Sequence, residues 1–215
     1  MNQGRNIFVC GRTGSGKTVW TVRQVETVER LFVYLPKREE TAYRGVYFDG
    51  VRDRRSVPAA SAASPCWNWL AYSAQRCGRF RVVYTPANKW DYGEFDRVCQ
   101  GIYLLGNVTF IAEDLVGYTG GADLKAGHAA GFRSLLTDGR TRGITTYLVT
   151  QRPHGVPVEV RSECREARIF ALNHAPDVDY IGKSFGDDVK AKWETIGQYQ
   201  HVRWHETEAV EVQGP

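Results

Sequence analysis

The sequence predicts an α/β fold in which a central, mostly parallel sheet is flanked by helices. Apolar runs typical of buried strands alternate with segments of helical periodicity along the 215-residue chain. The first strand and the first helix are joined by a glycine-rich loop. Later strands end in polar residues, at the edge of the sheet where ligands bind. The length suits a single domain, 1–215, and we expect a hairpin at 200–212 near its end.

The order of elements follows from apolar spacing and from breakers. The strand at 7–10 precedes the glycine-rich loop, and valines spaced by three residues predict a helix at 19–31. A buried strand at 31–35 is stopped by Pro36. The remaining strands are predicted at 45–48, 79–84, 107–112, 144–149 and 167–172, and the remaining helices at 64–77, 91–105, 132–136, 157–164, 177–185 and 187–196.

Composition and charge set only loose limits on function. A net charge of +4 permits a polyanionic partner and equally fits the mixed surface of an ordinary globular protein. The five cysteines form neither a C-x-x-C pair nor a zinc-binding spacing, so we expect reduced thiols in a cytosolic compartment. No apolar run approaches the ~18 residues of a membrane span. The N-terminus runs directly into the first strand, so we expect neither a transmembrane segment nor a signal peptide.

The glycine-rich loop matches the G-x-x-x-x-G-K-[ST] phosphate-binding pattern. Its residues are Gly11, Arg12, Thr13, Gly14, Ser15, Gly16, Lys17 and Thr18. Glycines let the backbone turn its N–H groups toward phosphate oxygens, and the following helix presents its positive end to the same anion. Lys17 is placed to reach the β- and γ-phosphates, and the Thr18 hydroxyl is placed to ligate Mg²⁺. A chance glycine-rich turn is the alternative, but strand, loop and helix all favour a nucleoside triphosphate site.

Two adjacent carboxylates, Glu113 and Asp114, follow the predicted strand at 107–112. In P-loop ATPases one such group holds Mg²⁺ and the other orients or deprotonates the attacking water. The alternative is a helix cap, since acidic residues favour helix N-termini. Gln151 closes a neighbouring strand, where a polar side chain can sense the γ-phosphate. The three side chains therefore predict a catalytic edge of the sheet.

These motifs together resemble the FtsK–HerA superfamily of DNA-pumping ATPases. Many protein families share the phosphate loop, whereas far fewer combine it with Gly-Arg-Thr-Arg-Gly-Ile, a following strand and Thr-Gln-Arg-Pro. The segments that carry the resemblance are 11–18, 111–115, 139–144, 148–153, 160–164 and 168–177. Within the superfamily, the short length resembles the compact genome-packaging ATPases of membrane-containing viruses with double-jelly-roll capsids.

The resemblance implies a RecA-like P-loop NTPase core that assembles into a homo-oligomeric ring, a hexamer. It implies ATP hydrolysis with Mg²⁺ at subunit interfaces, coupled to translocation of double-stranded DNA. A capsid or membrane vertex protein is an implied partner, with the host cytoplasm or a packaging vertex of the virion as the location. The family carries Asp-Glu where this chain has Glu113-Asp114. By position Glu113 serves Mg²⁺ and Asp114 the water, whereas side-chain length favours the reverse.

The family also uses an arginine supplied by a neighbouring subunit, and such a residue contributes roughly 10³–10⁵ in rate. The candidates that match family-like stretches are Arg140, Arg142, Arg165 and Arg168. For DNA contacts, which should be mostly to phosphates, the candidates are Lys125, His128 and the basic stretch 52–55.

Two other functions fit parts of the sequence. A small-molecule P-loop kinase would suit the length, but it leaves the carboxylate pair and the Thr-Gln-Arg-Pro strand end unexplained. An ATP-driven phage assembly or extrusion factor shares the phosphate loop, although such relatives usually carry a membrane span.

Overall fold

A computed structural model describes residues 4–37, 42–49, 70, 74–88, 90–117 and 130–214. Single-turn helices lie at Leu115–Gly117, Gly139–Arg142 and Pro153–Gly155. The strands are β1 (Asn6–Cys10), β2 (Arg30–Tyr34), β3 (Val46–Asp49), β4 (Phe80–Thr85), β5 (Thr109–Ala112), β6 (Thr145–Thr150), β7 (Glu166–Phe170), β8 (His201–His205) and β9 (Glu208–Gln213). The helices are α1 (Lys17–Gln24), α2 (Tyr92–Leu105), α3 (Ala130–Asp138), α4 (Val158–Ser162), α5 (Ala175–Phe185) and α6 (Asp187–Trp193).

Within the described residues, nine strands form one sheet in the order β3-β4-β2-β5-β6-β1-β7-β8-β9. The first seven strands in this order, β3 through β7, are all parallel to one another. Strand β8 pairs antiparallel with β7, and β9 pairs antiparallel with β8. The predicted α/β class with a mostly parallel sheet is confirmed, and so is the C-terminal hairpin. Because β6 lies between β1 and β5, the ends of these three strands meet at one edge of the sheet.

Strand β1 lies inside the sheet and is buried along its whole length. Side chains of a strand alternate between the two faces, so Phe8 and Cys10 join one apolar layer while Ile7 and Val9 join the other. The larger layer is covered by α2 to α6, and the smaller one by α1 through Trp20 and its neighbours. The continuous apolar run that predicted β1 therefore reflects burial on both faces.

The first helix is shorter than its valine spacing predicts. The expected helix at 19–31 was wrong in its length, because α1 ends at Gln24 and Leu31 belongs to β2. The N–H of Val25 bonds to the carbonyl of Val22 at 3.2 Å, a three-residue spacing that tightens and ends the helix. β-branched residues follow, and these favour extended backbone. Val25 is buried in the turn that follows α1, and Leu31 is buried within β2.

Helix α2 begins with one half of a capping box, the motif in which the residue before a helix and the residue three positions later each bond to the backbone N–H of the other. The Asp91 carboxylate caps the helix by accepting a hydrogen bond from the Glu94 N–H at 3.0 Å. The Glu94 carboxylate turns away from the helix and accepts from the Tyr84 hydroxyl at 2.6 Å and from the Ala87 N–H at 3.2 Å. A buried carboxylate needs such donors. Glu94 therefore ties α2 to the end of β4.

Several predictions fall outside the described residues. These are most of the helix at 64–77, the basic stretch 52–55, and Lys125 and His128. Among the residues described, no helix is long and apolar enough to cross a membrane. Of the cysteines described, Cys10, Cys99 and Cys164 are buried as free thiols, and Cys77 is an exposed one.

Candidate active site

The phosphate-loop sequence forms a tight turn between β1 and α1. The Gly11 N–H bonds to the carbonyl of Thr150, the last residue of β6, at 3.2 Å. The Arg12 N–H bonds to the carbonyl of Ala171, the residue after β7, at 2.7 Å, so the loop is held at the ends of both strands. Gly14 and Gly16 have φ angles of 75° and 99°, a region that side-chain-bearing residues rarely adopt. Helix α1 begins at Lys17, so its unpaired N-terminal N–H groups lie at the loop.

The phosphate loop requires glycine at position 11. A Cβ atom on Gly11 would lie 2.5 Å from the Phe170 Cβ and 2.8 Å from the Ser15 Oγ, so only glycine fits there. The Ser15 hydroxyl is buried on this packed side of the loop, and Ser15 is not among the residues that line the cleft described below. The need for glycine at position 11 agrees with the phosphate-loop pattern in the sequence.

Lys17 is almost fully buried, at 6% exposure, and its ammonium donates a hydrogen bond to the Arg12 carbonyl at 2.9 Å. Burial lowers the pKa of this ammonium from its ordinary value, while the nearby carboxylate of Glu113 acts to raise the pKa. A desolvated cation attracts an anion more strongly than a hydrated one, because fewer water dipoles screen it. The side chain is therefore a strong candidate for binding a phosphate group.

Glu113 and Asp114 follow β5 directly, as predicted. The Glu113 N–H bonds to the Tyr34 carbonyl at 3.0 Å, and the Glu113 carboxylate accepts a hydrogen bond from the Tyr43 hydroxyl at 2.5 Å. Asp114 adopts a left-handed backbone with a φ of 57° and is half-buried. Backbone strain of this kind is common at functional sites, and here it turns the chain sharply after the strand.

Gln151 lies between the phosphate loop and the carboxylates. Strand β6 lies between β1 and β5 in the sheet. Gln151, which follows β6, therefore lies between the phosphate loop, which follows β1, and Glu113, which follows β5. The Thr13 hydroxyl donates a hydrogen bond to the Gln151 Oε1 at 2.8 Å. This contact joins a residue of the phosphate loop to the predicted sensor.

The turn after Gln151 is held by an ion pair between the exposed Arg152 and the buried Asp177. The Arg152 Nε lies 2.9 Å from the Asp177 Oδ2, and the His154 N–H donates to the Asp177 Oδ1 at 3.1 Å. Asp177 is 1% exposed, so these donors compensate the burial of its charge. Thr-Gln-Arg-Pro and the segment ending at Asp177 therefore meet in space, and Asp177 holds the turn that follows Gln151.

These groups line one cleft of about 200 Å³. The lining from the three motifs is Thr13, Gly14, Lys17, Thr18, Glu113, Asp114 and Gln151. Three further residues line the cleft: Val149 and Thr150 at the end of β6, and Lys37, which lies just beyond Pro36 after β2. Lys37 is the charged lining residue that the sequence analysis did not assign to the site. The rule that ligands bind beyond the carboxyl ends of strands would have identified it.

The oxygen atoms of the cleft fit a magnesium ion that arrives with a nucleotide. Thr18, Glu113 and Asp114 supply hydroxyl and carboxylate oxygens to the same cleft, and these are ligands that Mg²⁺ prefers. Among the described residues there is no cluster of three or more His, Cys, Asp or Glu side chains that could hold a metal alone. This arrangement is typical of Mg²⁺, which is commonly held by one or two carboxylates together with substrate phosphates.

The candidate arginines lie elsewhere. The Arg142 Nε and Nη2 donate to the carbonyls of Tyr103 and Leu104 at 2.7 and 3.1 Å, which fastens the end of α2. Arg168 is 8% exposed and is hydrogen bonded to Glu166. Arg140 is exposed.

Arg165, also exposed, lies 3.3 Å from a carboxylate oxygen of Glu206. None of the four candidates belongs to the described lining of the cleft.

The sheet order, the phosphate loop and the carboxylate pair define a P-loop NTPase fold. No protein-family model matches the sequence, and no curated protein does. Among solved structures, the chain is similar to the genome-packaging NTPase B204 of Sulfolobus turreted icosahedral virus 2 in complex with AMPPCP, with a TM-score of 0.72, 16% identity and 100% of both chains covered. It is also similar to B204, the DNA-packaging ATPase of Sulfolobus turreted icosahedral virus, with a TM-score of 0.73, 16% identity and coverage of 100% of this chain and 99% of that one.

A more distant likeness is to VirB4 of Thermoanaerobacter pseudethanolicus. The TM-score is 0.62 at 8% identity, with 97% of this chain and 88% of that chain covered. At such low identities the likeness is one of fold. It confirms the fold predicted from the sequence and agrees with the resemblance that the motifs suggest.

Proposed function

We propose that this protein is an ATP-hydrolysing motor that translocates double-stranded DNA and packages a viral genome into a preformed capsid. The observation that carries the proposal is the meeting of the phosphate loop, the carboxylate pair and Gln151 in one cleft. The fold supports it, because solved structures of similar fold include packaging NTPases, one of them in complex with an ATP analogue.

Each of the three motifs that line the cleft has a role in this proposal. The loop N–H groups and Lys17 bind the β- and γ-phosphates of ATP, and Thr18 with Glu113 holds Mg²⁺. The metal, when bound, neutralises charge that develops on the transferred phosphoryl group. Asp114 orients the attacking water and takes its proton, and Gln151 contacts the γ-phosphate.

The positions of the arginines support a site completed by a second copy of the chain. Phosphoryl transfer is accelerated by cations near the γ-phosphate. Lys17 and Lys37 line the described cleft of this chain, but none of the four candidate arginines does. Arg142 and Arg168 already bind groups of their own subunit. Arg140 is exposed, and we assign it the role in trans. A ring, which we take to be a hexamer, then places each cleft at a subunit interface.

The kinase alternative is less well supported by the site. A kinase transfers phosphate to an acceptor molecule and has no need of a water-activating carboxylate, whereas both Glu113 and Asp114 line the cleft. An assembly or extrusion ATPase remains the competing motor, and it differs in being indifferent to duplex DNA. The packaging role places the protein in the host cytoplasm or at a vertex of the virion, beside a capsid or membrane protein.

Duplex DNA is expected to raise the steady-state rate of ATP hydrolysis. A motor that tolerates any sequence contacts mainly phosphates, so its DNA affinity should fall at least ~100-fold between roughly 50 and 200 mM salt. The measurement is ATP turnover and fluorescence-anisotropy binding with duplexes of unrelated sequence. If duplex DNA does not change the rate of ATP hydrolysis and DNA affinity does not depend on salt concentration, the extrusion factor would be favoured instead. Turnover that requires a small acceptor would indicate the kinase.

A further inference from the structure

We propose that Tyr43 is a positioning residue for Glu113 and sets the orientation of its carboxylate in the cleft. This inference rests on the proposed function, in which Glu113 belongs to the hydrolytic site. No motif in the sequence singles out Tyr43, which lies in the polar stretch between β2 and β3. The structure brings the two residues together from positions 70 apart in the chain.

The contact between the two side chains is short and buried. The Tyr43 hydroxyl donates to the Glu113 Oε1 at 2.5 Å, in the range of charge-assisted O–H···O⁻ bonds. Tyr43 is 2% exposed and Glu113 is 8% exposed. The terminal torsion of a glutamate side chain has a broad energy profile, so the carboxylate does not hold one rotation by itself. The phenol supplies the partner that fixes this rotation.

Tyr43 is itself rigidly placed. Its ring belongs to the smaller apolar layer, together with Val33, Val83 and Ile111 from three neighbouring strands. The Tyr47 hydroxyl donates to the Tyr43 carbonyl at 2.7 Å, which ties Tyr43 to the start of β3. The hydroxyl that meets Glu113 is therefore presented from a packed ring, as a preorganised site requires.

Packing alone does not account for this pair. A phenylalanine would present the same ring to the apolar layer without burying a hydroxyl. A buried hydroxyl and a buried carboxylate each need hydrogen-bond partners, and here each group is a partner of the other. The carboxylate also lines the cleft that holds Lys17 and Thr18, so its orientation bears directly on the reaction.

The test is Tyr43→Phe, with Tyr84→Phe as the matched control. The control removes the same atom from another buried tyrosine–glutamate pair, because the Tyr84 hydroxyl donates to the Glu94 carboxylate at 2.6 Å and neither residue lines the cleft. We expect Tyr43→Phe to lower kcat about tenfold while KM for ATP stays within about twofold. The control should change neither kcat nor KM by more than about twofold. Wild-type kcat in Tyr43→Phe would overturn the assignment.

A second measurement does not depend on hydrolysis. In the nucleotide-free protein, Tyr43→Phe should lower the unfolding midpoint by about 3 °C or more, because a buried carboxylate loses a hydrogen-bond donor. In a Glu113→Ala background, where no acceptor remains on the side chain at position 113, the same change should shift the midpoint by less than about 1 °C. Equal shifts in both backgrounds would show that Tyr43 acts independently of Glu113, which overturns the proposal. A wild-type protein that fails to hydrolyse ATP would overturn the proposed function, while this unfolding comparison would still decide the role of Tyr43.

Discussion

Truncation of Lys17 to alanine is expected to lower the rate of ATP hydrolysis at least ~100-fold, the loss typical of removing one group that stabilises transition-state charge. The ammonium is buried in the cleft and is held toward the loop by the Arg12 carbonyl. No other described residue of the phosphate loop carries a buried cation, because Arg12 is exposed. The measurement is steady-state phosphate release at saturating ATP and Mg²⁺.

The same variant should fold normally. Burial lowers the pKa of the Lys17 ammonium, which means that the folded chain holds this charge at some cost in free energy. Its removal should leave the unfolding midpoint of the nucleotide-free protein unchanged or slightly higher. The matched control is Lys183→Ala, which makes the same truncation on an exposed part of α5. A Lys17→Ala protein that is folded and retains wild-type turnover would contradict the assigned phosphate site.

Replacement of the two carboxylates by their amides is expected to have the second large effect. Asp114→Asn should lower kcat at least ~100-fold, the usual contribution of a general base. Glu113→Gln should also slow turnover, and it should in addition raise the Mg²⁺ concentration needed for half-maximal rate, since an amide is a weaker ligand for a hard cation. Mg²⁺ titrations of ATP turnover separate the two roles.

The amides keep the shape of each side chain, so the comparison isolates charge. Glu194→Gln, on the exposed end of α6, is the matched control and should behave as wild type. If the Mg²⁺ requirement rises with Asp114→Asn instead, the roles of the two carboxylates are exchanged. If both amides leave turnover intact, the cleft does not hydrolyse ATP in the manner proposed.

The phosphate loop and the strand ends were predictable because their signals are local. Glycines at 11, 14 and 16 act on the backbone that contains them, and the buried run before Glu113 identifies a strand from its own composition. Once a parallel sheet is inferred, the ends of its strands must share an edge, which brings Gln151 close to the loop.

What could not be predicted depends on contacts between distant segments. Tyr43 meets Glu113 only because a ring before β3 packs against strands that come later in the chain. The burial of Arg168 against Glu166 could not be predicted either, because the same strand pattern would fit an arginine that is exposed to solvent. The length of α1 was misjudged for a related reason. Valines at helical spacing do not fix the residue at which a helix ends, and here the chain turns at 25–27 and enters β2 at Arg30.

The central claim is that ATP hydrolysis in this cleft moves the protein along double-stranded DNA. It is tested most directly with a duplex that carries a triplex-forming third strand, which a translocating motor displaces as it passes. We predict that the wild-type protein releases the third strand when ATP and Mg²⁺ are present, and that neither a non-hydrolysable analogue nor Lys17→Ala supports release. ATP hydrolysis at full rate on the same duplex, with the third strand left in place, would contradict the claim.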